Sequence, residues 1–380
     1  MYNEFAQTKQ IGDVIMKLQK RLLFLGALVA TSLVACNNTQ PGPEPDNTHV
    51  DVFVLSGQSN MEGSTYYVHP DGTPLLENYF EEEGMDYTPV SEGIQTVKTS
   101  YYGFYYPVGW SQAHTASEDK STPEARLTPN FQPTKVGMGV GDEVENPKNR
   151  NQKLRDIFFG PELGIANTIA EYASEENPVH LIKCAFSGSG FTKTDGPNWA
   201  NRDEDPTKSL FHLLKTYTYN CLEAIEETGK VPVLKGFIWH QGESDTGNKN
   251  YQTQMETLIK DFRDEFAKYA VDEEAKNIAF LDCTIYDGSK NRYGSQQSVN
   301  DGINKLKNNI AAKGQLEKED PDYELNYIVD GTFTENGLKL EIGDDAKGGF
   351  NTYHYNTKDA YILGKAYGEI ILNNNLLRDK

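Results

Sequence analysis

Apolar positions in this chain fall into short unbroken runs that alternate with amphipathic stretches. The first run (Val50, Val52, Phe53, Val54, Leu55) is β-branched and aromatic, which predicts a buried strand ending at Ser56-Gly57. From Phe158 onward the alternation is regular. Strands are predicted over 179–186, 231–239, 278–283 and 323–329. Helices are predicted over 161–173, 209–227, 251–270, 296–312 and 358–372. The 251–270 helix carries Met255, Leu258, Ile259, Phe262 and Phe266 at helical spacing. Continuous apolar strands that alternate with helices imply a parallel sheet covered on both faces, an α/β doubly wound fold. No repeat or second domain is evident, so residues 49–375 read as one domain.

Residues 64–155 interrupt this regularity. They lack a sustained period and are rich in Tyr, Gly, Pro and acids, as in Tyr101-Tyr102-Gly103-Phe104-Tyr105-Tyr106-Pro107. So long a structureless loop is unusual in a compact domain, and the stretch reads as an ordered insertion covering part of the cleft. Its aromatics could form a small satellite core or platforms for sugar rings, and the sequence favours neither.

The N-terminus changes the picture of where the domain works. Met16–Arg21 is basic, 22–30 is apolar but too short to span a bilayer, and Leu33-Val34-Ala35-Cys36 follows. This resembles a bacterial lipoprotein signal, which would leave Cys36 as an acylated N-terminus; residues before Met16 look like an upstream extension. Residues 37–48 then read as a flexible tether. The expectation is a cell-envelope protein held to the membrane through its lipid anchor alone.

The chain has 380 residues and a net charge of −20. Loss of residues 1–36 would remove four basic and two acidic residues, leaving it more acidic still. Such a surface argues against nucleic acid and against lying on anionic lipid, but it is compatible with a neutral glycan. Cys184, Cys221 and Cys283 have no metal-ligand spacing and read as buried free thiols. Asp203-Glu204-Asp205 reads as a solvated acidic loop rather than a calcium site. No metal or cofactor is expected.

In a doubly wound sheet the ligand site lies beyond the carboxyl ends of the strands. Those ends carry Gly57-Gln58-Ser59-Asn60, then Ser187-Gly188-Ser189-Gly190, then Trp239-His240-Gln241-Gly242-Glu243-Ser244-Asp245. Asn351-Thr352-Tyr353-His354-Tyr355-Asn356 precedes the last helix. A hydroxyl, free backbone N–H groups, amides and a histidine thus converge on one edge. Ser59 alone could equally be a turn or helix-cap residue. It is not a G-x-S-x-G elbow, because Met61 takes the last position.

G-Q-S-N-M, F-G-P-E-L-G-I-A (159–166), W-H-Q-G-E-S-D and H-Y-N-T together resemble the SGNH hydrolase superfamily. Within it they are most similar to the sialate O-acetylesterase and carbohydrate esterase family six branch. The resemblance covers most of 50–372 outside the insertion. It implies a flavodoxin-like fold, no cofactor, an acetylated oligo- or polysaccharide substrate of acetylxylan or sialic acid type, and serine-esterase chemistry. Ser59 would be the nucleophile and His354 the general base. The Ser59 and Gly188 backbone N–H groups and the Gln241 side-chain amide would form the oxyanion hole. Such chemistry needs a base to take the serine proton and preorganised donors, each typically worth about 3 kcal/mol.

One position departs from the family pattern. Where the family has Asp three residues before its histidine, this chain has Asn351, which can orient the ring but cannot balance an imidazolium. In a serine protease, losing the acid of the triad costs roughly ten-thousand-fold in rate. Glu243, Asp344 and Asp345 are the candidate substitutes, and Glu243 is favoured for its place at a strand end. His240 is open between a packed, hydrogen-bonded residue and a catalytic one, and Glu162 and Arg155 read as helix-end charges. Two other functions stay open. One is a weak or inactive surface glycan-binding lipoprotein, which only Asn351 supports. The other is a lipase- or thioesterase-like hydrolase, which the polar Tyr-rich insertion argues against.

Overall fold

The computed structural model describes residues 48–105, 113–139, 144–146, 149–154, 156–270, 278–286, 296–306, 326–329 and 354–377. Cys36, Asp344, Asp345, Asn351 and Arg155 lie outside the described residues, as do the signal and tether segments.

Six parallel strands form the centre of the sheet: β1 (His49–Gly57), β2 (Ile94–Tyr105), β3 (Val179–Ser187), β4 (Val231–His240), β5 (Ala279–Cys283) and β6 (Asn326–Val329). Their spatial order is β6-β5-β4-β1-β3-β2, with two short antiparallel strands, His114–Thr115 and Gln132–Thr134, paired to β2. Without β2 this is the flavodoxin-like order, and β1 lies at the switch point with β3 on one side and β4 on the other. The expected α/β class is therefore what the chain adopts.

Alternation along β1 builds the two layers. Val50, Val52 and Val54 face a core completed by helices α3 (Leu210–Glu226), α4 (Tyr251–Phe266) and α5 (Gln297–Leu306). Phe53 and Leu55 face the other core, completed by α2 (Pro161–Ile169) and α6 (Thr357–Asn373). Four of these helices fall within the stretches predicted for them, with α2 and α4 ending earlier at 169 and 266, where single 3-10 turns follow; α6 exceeds its predicted stretch by one residue at each end.

The insertion differs from its reading. It contributes β2, a twelve-residue strand integral to the sheet and paired with β3 from Val97 to Tyr105. Helices Leu75–Glu82 and Thr88–Glu92 also lie within it. Gln95, Thr96, Lys98, Thr99 and Ser100 leave β2 without an apolar run, yet Thr99 and Ser100 are buried and satisfied: Thr99 Oγ1 lies 2.7 Å from Thr134 Oγ1, and Ser100 Oγ lies 2.7 Å from Tyr217 Oη. Tyr102 and Phe104 belong to the main core, not to a satellite core or a sugar platform. Cys184, Cys221 and Cys283 are buried free thiols, as expected.

Candidate active site

β1 ends in a forced geometry that sets up Ser59. Gly57 has φ +145, and a Cβ there would sit 2.0 Å from the His240 carbonyl oxygen, so only glycine lets β1 run this close to the end of β4. The Gln58 N–H donates to that same carbonyl at 3.0 Å. The Gln58 carbonyl then accepts from Met61 N–H and Glu62 N–H at 2.9 and 2.8 Å, which winds the single turn α1 (Ser59–Glu62). Ser59 opens this turn at the carboxyl edge of the sheet.

Asn60 joins three distant segments. Its Nδ2 donates to Glu243 Oε1 at 2.6 Å, and its Oδ1 accepts from the Tyr355 N–H at 3.2 Å. The residue beside the serine therefore holds both the loop after β4 and the residue beside His354. The His354 segment is fixed further by Thr65 Oγ1, which donates to the Tyr355 carbonyl at 3.0 Å, and by Thr357 Oγ1, which donates to the Tyr66 carbonyl at 2.8 Å. Asn356 caps α6 by accepting from the Asp359 N–H at 2.7 Å.

The Glu243–His354 bond expected from the sequence is not formed. Among the described residues His354 Nδ1 has no hydrogen-bond partner, and neither has Glu243 Oε2, although both atoms are buried. The other carboxylate oxygen, Oε1, is taken by Asn60 and stands 3.9 Å from His240 Nε2. Burial pushes the Glu243 carboxyl up and the His354 imidazole down to about 4. A buried imidazole without a counter-charge is neutral at ordinary pH, the form a proton acceptor requires.

His240 resolves as a packed residue. It is fully buried, its Nε2 lies 3.0 Å from Tyr355 Oη, and burial lowers it to about 3. Glu162 lies in the first turn of α2, as expected of a helix-end charge, and its Oε1 accepts from the Gly160 N–H at 3.0 Å; it is also buried, with Lys183 Nζ at 3.0 Å.

Gly188, at the end of β3, has φ +73, the left-handed region in which glycine is favoured. The following loop is organised by Asp245, to which the sequence alone assigns no role. Its carboxylate accepts from the Phe191 N–H at 2.9 Å, and from the Thr192 N–H and hydroxyl at 3.0 and 2.8 Å. Gln241 departs from expectation. Its Nε2 lies 2.8 Å from Asp245 Oδ2, 3.1 Å from Gln58 Oε1 and 3.2 Å from the Ser189 carbonyl, so its two hydrogens already face three acceptors. Tyr251 Oη donates to the Gln241 backbone carbonyl at 2.6 Å and stands 3.1 Å from its Oε1, on the side away from Asp245. Asn60, Gln58 and Asp245 all lie inside the strand-end motifs, and each is a buried polar residue that demands partners.

The model of one protein family, described as carbohydrate esterase, sialic acid-specific acetylesterase, matches residues 49–321. The chain belongs to that family. It is therefore a carbohydrate acetylesterase, and its substrate is an acetylated carbohydrate. No curated protein matches the sequence. Among solved structures, NanS is 14% identical, with 87% of this chain and 99% of that chain covered and a TM-score of 0.51. A protein of Arabidopsis thaliana is 16% identical over 85% of this chain and 98% of that one, with a TM-score of 0.47. A carbohydrate acetylesterase from Xanthomonas citri is 15% identical over 84% and 55%, with a TM-score of 0.41. At such identities the NanS likeness supports the fold alone, and the two lower scores add no argument.

Proposed function

We propose that this carbohydrate acetylesterase works through an acetyl-serine on Ser59, with His354 as the general base and Glu243 as its acid partner. The observation that carries the reading is the Asn60 clamp, which ties the serine turn directly to the Glu243 loop and to the residue beside His354. In the first half-reaction Ser59 Oγ attacks the acetyl carbonyl carbon while His354 takes the hydroxyl proton. The proton passes to the departing sugar oxygen as the ester bond breaks. Water then attacks the acetyl-serine, His354 accepts its proton, and acetate leaves with Ser59 restored.

The backbone N–H groups of Ser59 and Gly188 are the oxyanion donors in this scheme. Gln241 joins them by releasing Gln58 or Ser189, the longer of its three contacts. Nδ1 of His354 and Oε2 of Glu243, both buried and without a hydrogen-bond partner among the described residues, are complementary in kind. Their pairing as the imidazolium forms would supply the charge balance that Asn351 cannot, while Asp344 and Asp345 are the alternative carboxylates. Acetylxylan and acetylated sialic acid are the substrate types in question.

A panel of acetylated glycans, assayed for acetate release with wild type and Ser59→Ala, tests the reading. Release abolished by the substitution supports it. Release that survives in Ser59→Ala overturns it. Acylation of Cys36 as a lipid anchor, holding the enzyme at the cell envelope, belongs to the same proposal. Metabolic labelling with a fatty acid that is lost in Cys36→Ser would support it, and labelling that persists in that variant would contradict it.

A further inference from the structure

A second set of buried polar groups lies behind the serine turn, and the scheme above leaves it unused. Glu62 ends α1, three residues after Ser59, and is 1% exposed. Its Oε2 accepts a hydrogen bond from Ser187 Oγ. Ser187 is the last residue of β3, and Gly188 follows it directly. One hydrogen bond thus links the turn that carries the nucleophile to the turn that presents the Gly188 N–H.

The surroundings of this carboxyl group are polar and closely fitted. Lys183, on the same strand as Ser187, is also 1% exposed. Burial lowers its ammonium, while the charges of Glu162 and Glu62 hold it up. Lys183 Nζ stands 3.0 Å from Glu162 Oε1 and donates to the Met138 carbonyl at 2.7 Å. A Cβ at Gly103 would meet the Ala185 carbonyl oxygen at 2.4 Å and also Glu62 Oε1 at 3.0 Å and its Cγ at 3.3 Å, so the glycine makes room for the neighbouring strand and for the carboxyl group together. A polar side chain is costly to bury, and this one has a donor hydroxyl and the attraction of Lys183, whose own ion pair is with Glu162.

We infer that Glu62 is a positioning residue, which sets Ser59 against the Gly188 N–H by holding Ser187. The inference rests on the reading of Ser59 as nucleophile and Gly188 as oxyanion donor. If it holds, the Glu62–Ser187 bond matters to kcat more than to KM, because the relation between nucleophile and oxyanion donor counts chiefly in the transition state.

The test uses steady-state hydrolysis of an aryl acetate by the full-length protein carrying Ser187→Ala, Ser187→Thr, Glu62→Gln, Glu62→Ala or the Glu62→Ala/Ser187→Ala pair. Ser187→Ala is expected to lower kcat on the order of tenfold to a hundredfold with KM changed little, the size expected when a buried acceptor loses its donor. Ser187→Thr keeps the hydroxyl and Glu62→Gln keeps an acceptor oxygen, so both should retain most of kcat. The double variant should be no slower than the worse single one, because both remove the same bond. Equal kcat for Ser187→Ala and wild type, or losses that multiply in the double variant, would overturn the inference. If Glu62→Ala does not fold, the contrast between Ser187→Ala and Ser187→Thr decides alone. Ser59→Ala is run in parallel. Activity surviving there defeats the parent reading, whereas a dead Ser59→Ala beside an indifferent Ser187→Ala defeats only this one.

Discussion

Replacing Asn60 by alanine removes two hydrogen bonds at once, and their partners set the expected size of the effect. The bond to Glu243 at 2.6 Å involves a buried carboxyl group, and such bonds contribute about 1.5–3 kcal/mol. The bond from the Tyr355 N–H at 3.2 Å is an ordinary neutral one, worth about 0.5–1.5 kcal/mol. Together they predict a loss of about 2–4 kcal/mol in stability, measured by urea unfolding. Catalysis should suffer more than binding. With Tyr355 released, His354 is no longer held relative to Ser59, and misplacement by about 1 Å can cost on the order of a hundredfold in rate. Asn60→Asp sharpens the test. Two carboxyl groups then meet at a buried contact, so one takes up a proton. The protonated group can donate to the other, as the amide did. Activity relative to wild type should therefore rise as pH falls through the raised carboxyl range, down to about 4, where His354 itself protonates. Assays of kcat and KM on an aryl acetate across pH check both variants. An Asn60→Ala protein with kcat within about threefold of wild type would refute the reasoning. So would an Asn60→Asp protein with an unaltered pH profile.

Glu243→Gln should lower kcat by orders of magnitude at nearly constant KM if Glu243 balances the imidazolium, and Asn351→Asp should then help little. A gain on the order of a hundredfold in Asn351→Asp would instead mark an esterase impaired by a missing acid. Rates should fall steeply from acetyl to butyryl to octanoyl esters of one alcohol; equal or rising rates would favour a lipase-like enzyme. Stability should fall with acid. Burial lowers His180 to about 4 and His240 to about 3, against an ordinary value of 6.5. The unfolded chain thus binds protons first, and the stabilising contribution is full above pH 6.5 and lost as pH falls toward 4 and 3. At pH 5 each histidine accounts for a loss of up to about 2 kcal/mol, visible as a lower urea midpoint; an unchanged midpoint at pH 7 and 5 would contradict this.

The sheet strands that are buried on both faces read directly from the sequence, because β1, β3, β4 and β5 are almost unbroken apolar runs. β2 escapes the pattern because five of its first seven residues are polar, and buried Thr99 and Ser100 satisfy their hydroxyls with Thr134 and Tyr217, partners that no local period reveals. The strand-end motifs place Ser59, Gly188, Gln241 and Glu243 on the correct edge for the same topological reason. Which atoms meet there is a different matter. The contact of Asn60 with Glu243 spans 183 residues, and its contact with Tyr355 spans 295. The Gln241 amide points to Asp245 because Tyr251 occupies its other side, a fact of packing rather than of spacing. Lys183 is the signal that could have been used. A lysine in the middle of the fully buried strand Val179–Ser187 requires buried carboxylates, and Glu162 pairs with it while Glu62 adds its charge.

The central claim is that Ser59 carries the acetyl group. Rapid acid quench of the enzyme during turnover of an aryl acetate, followed by peptide mass spectrometry, reads this directly. Acetylation confined to the peptide containing Ser59, and absent from Ser59→Ala, is the expected result. Acetyl found on another side chain, such as Ser187 or Ser189, or undiminished turnover by Ser59→Ala, would contradict it.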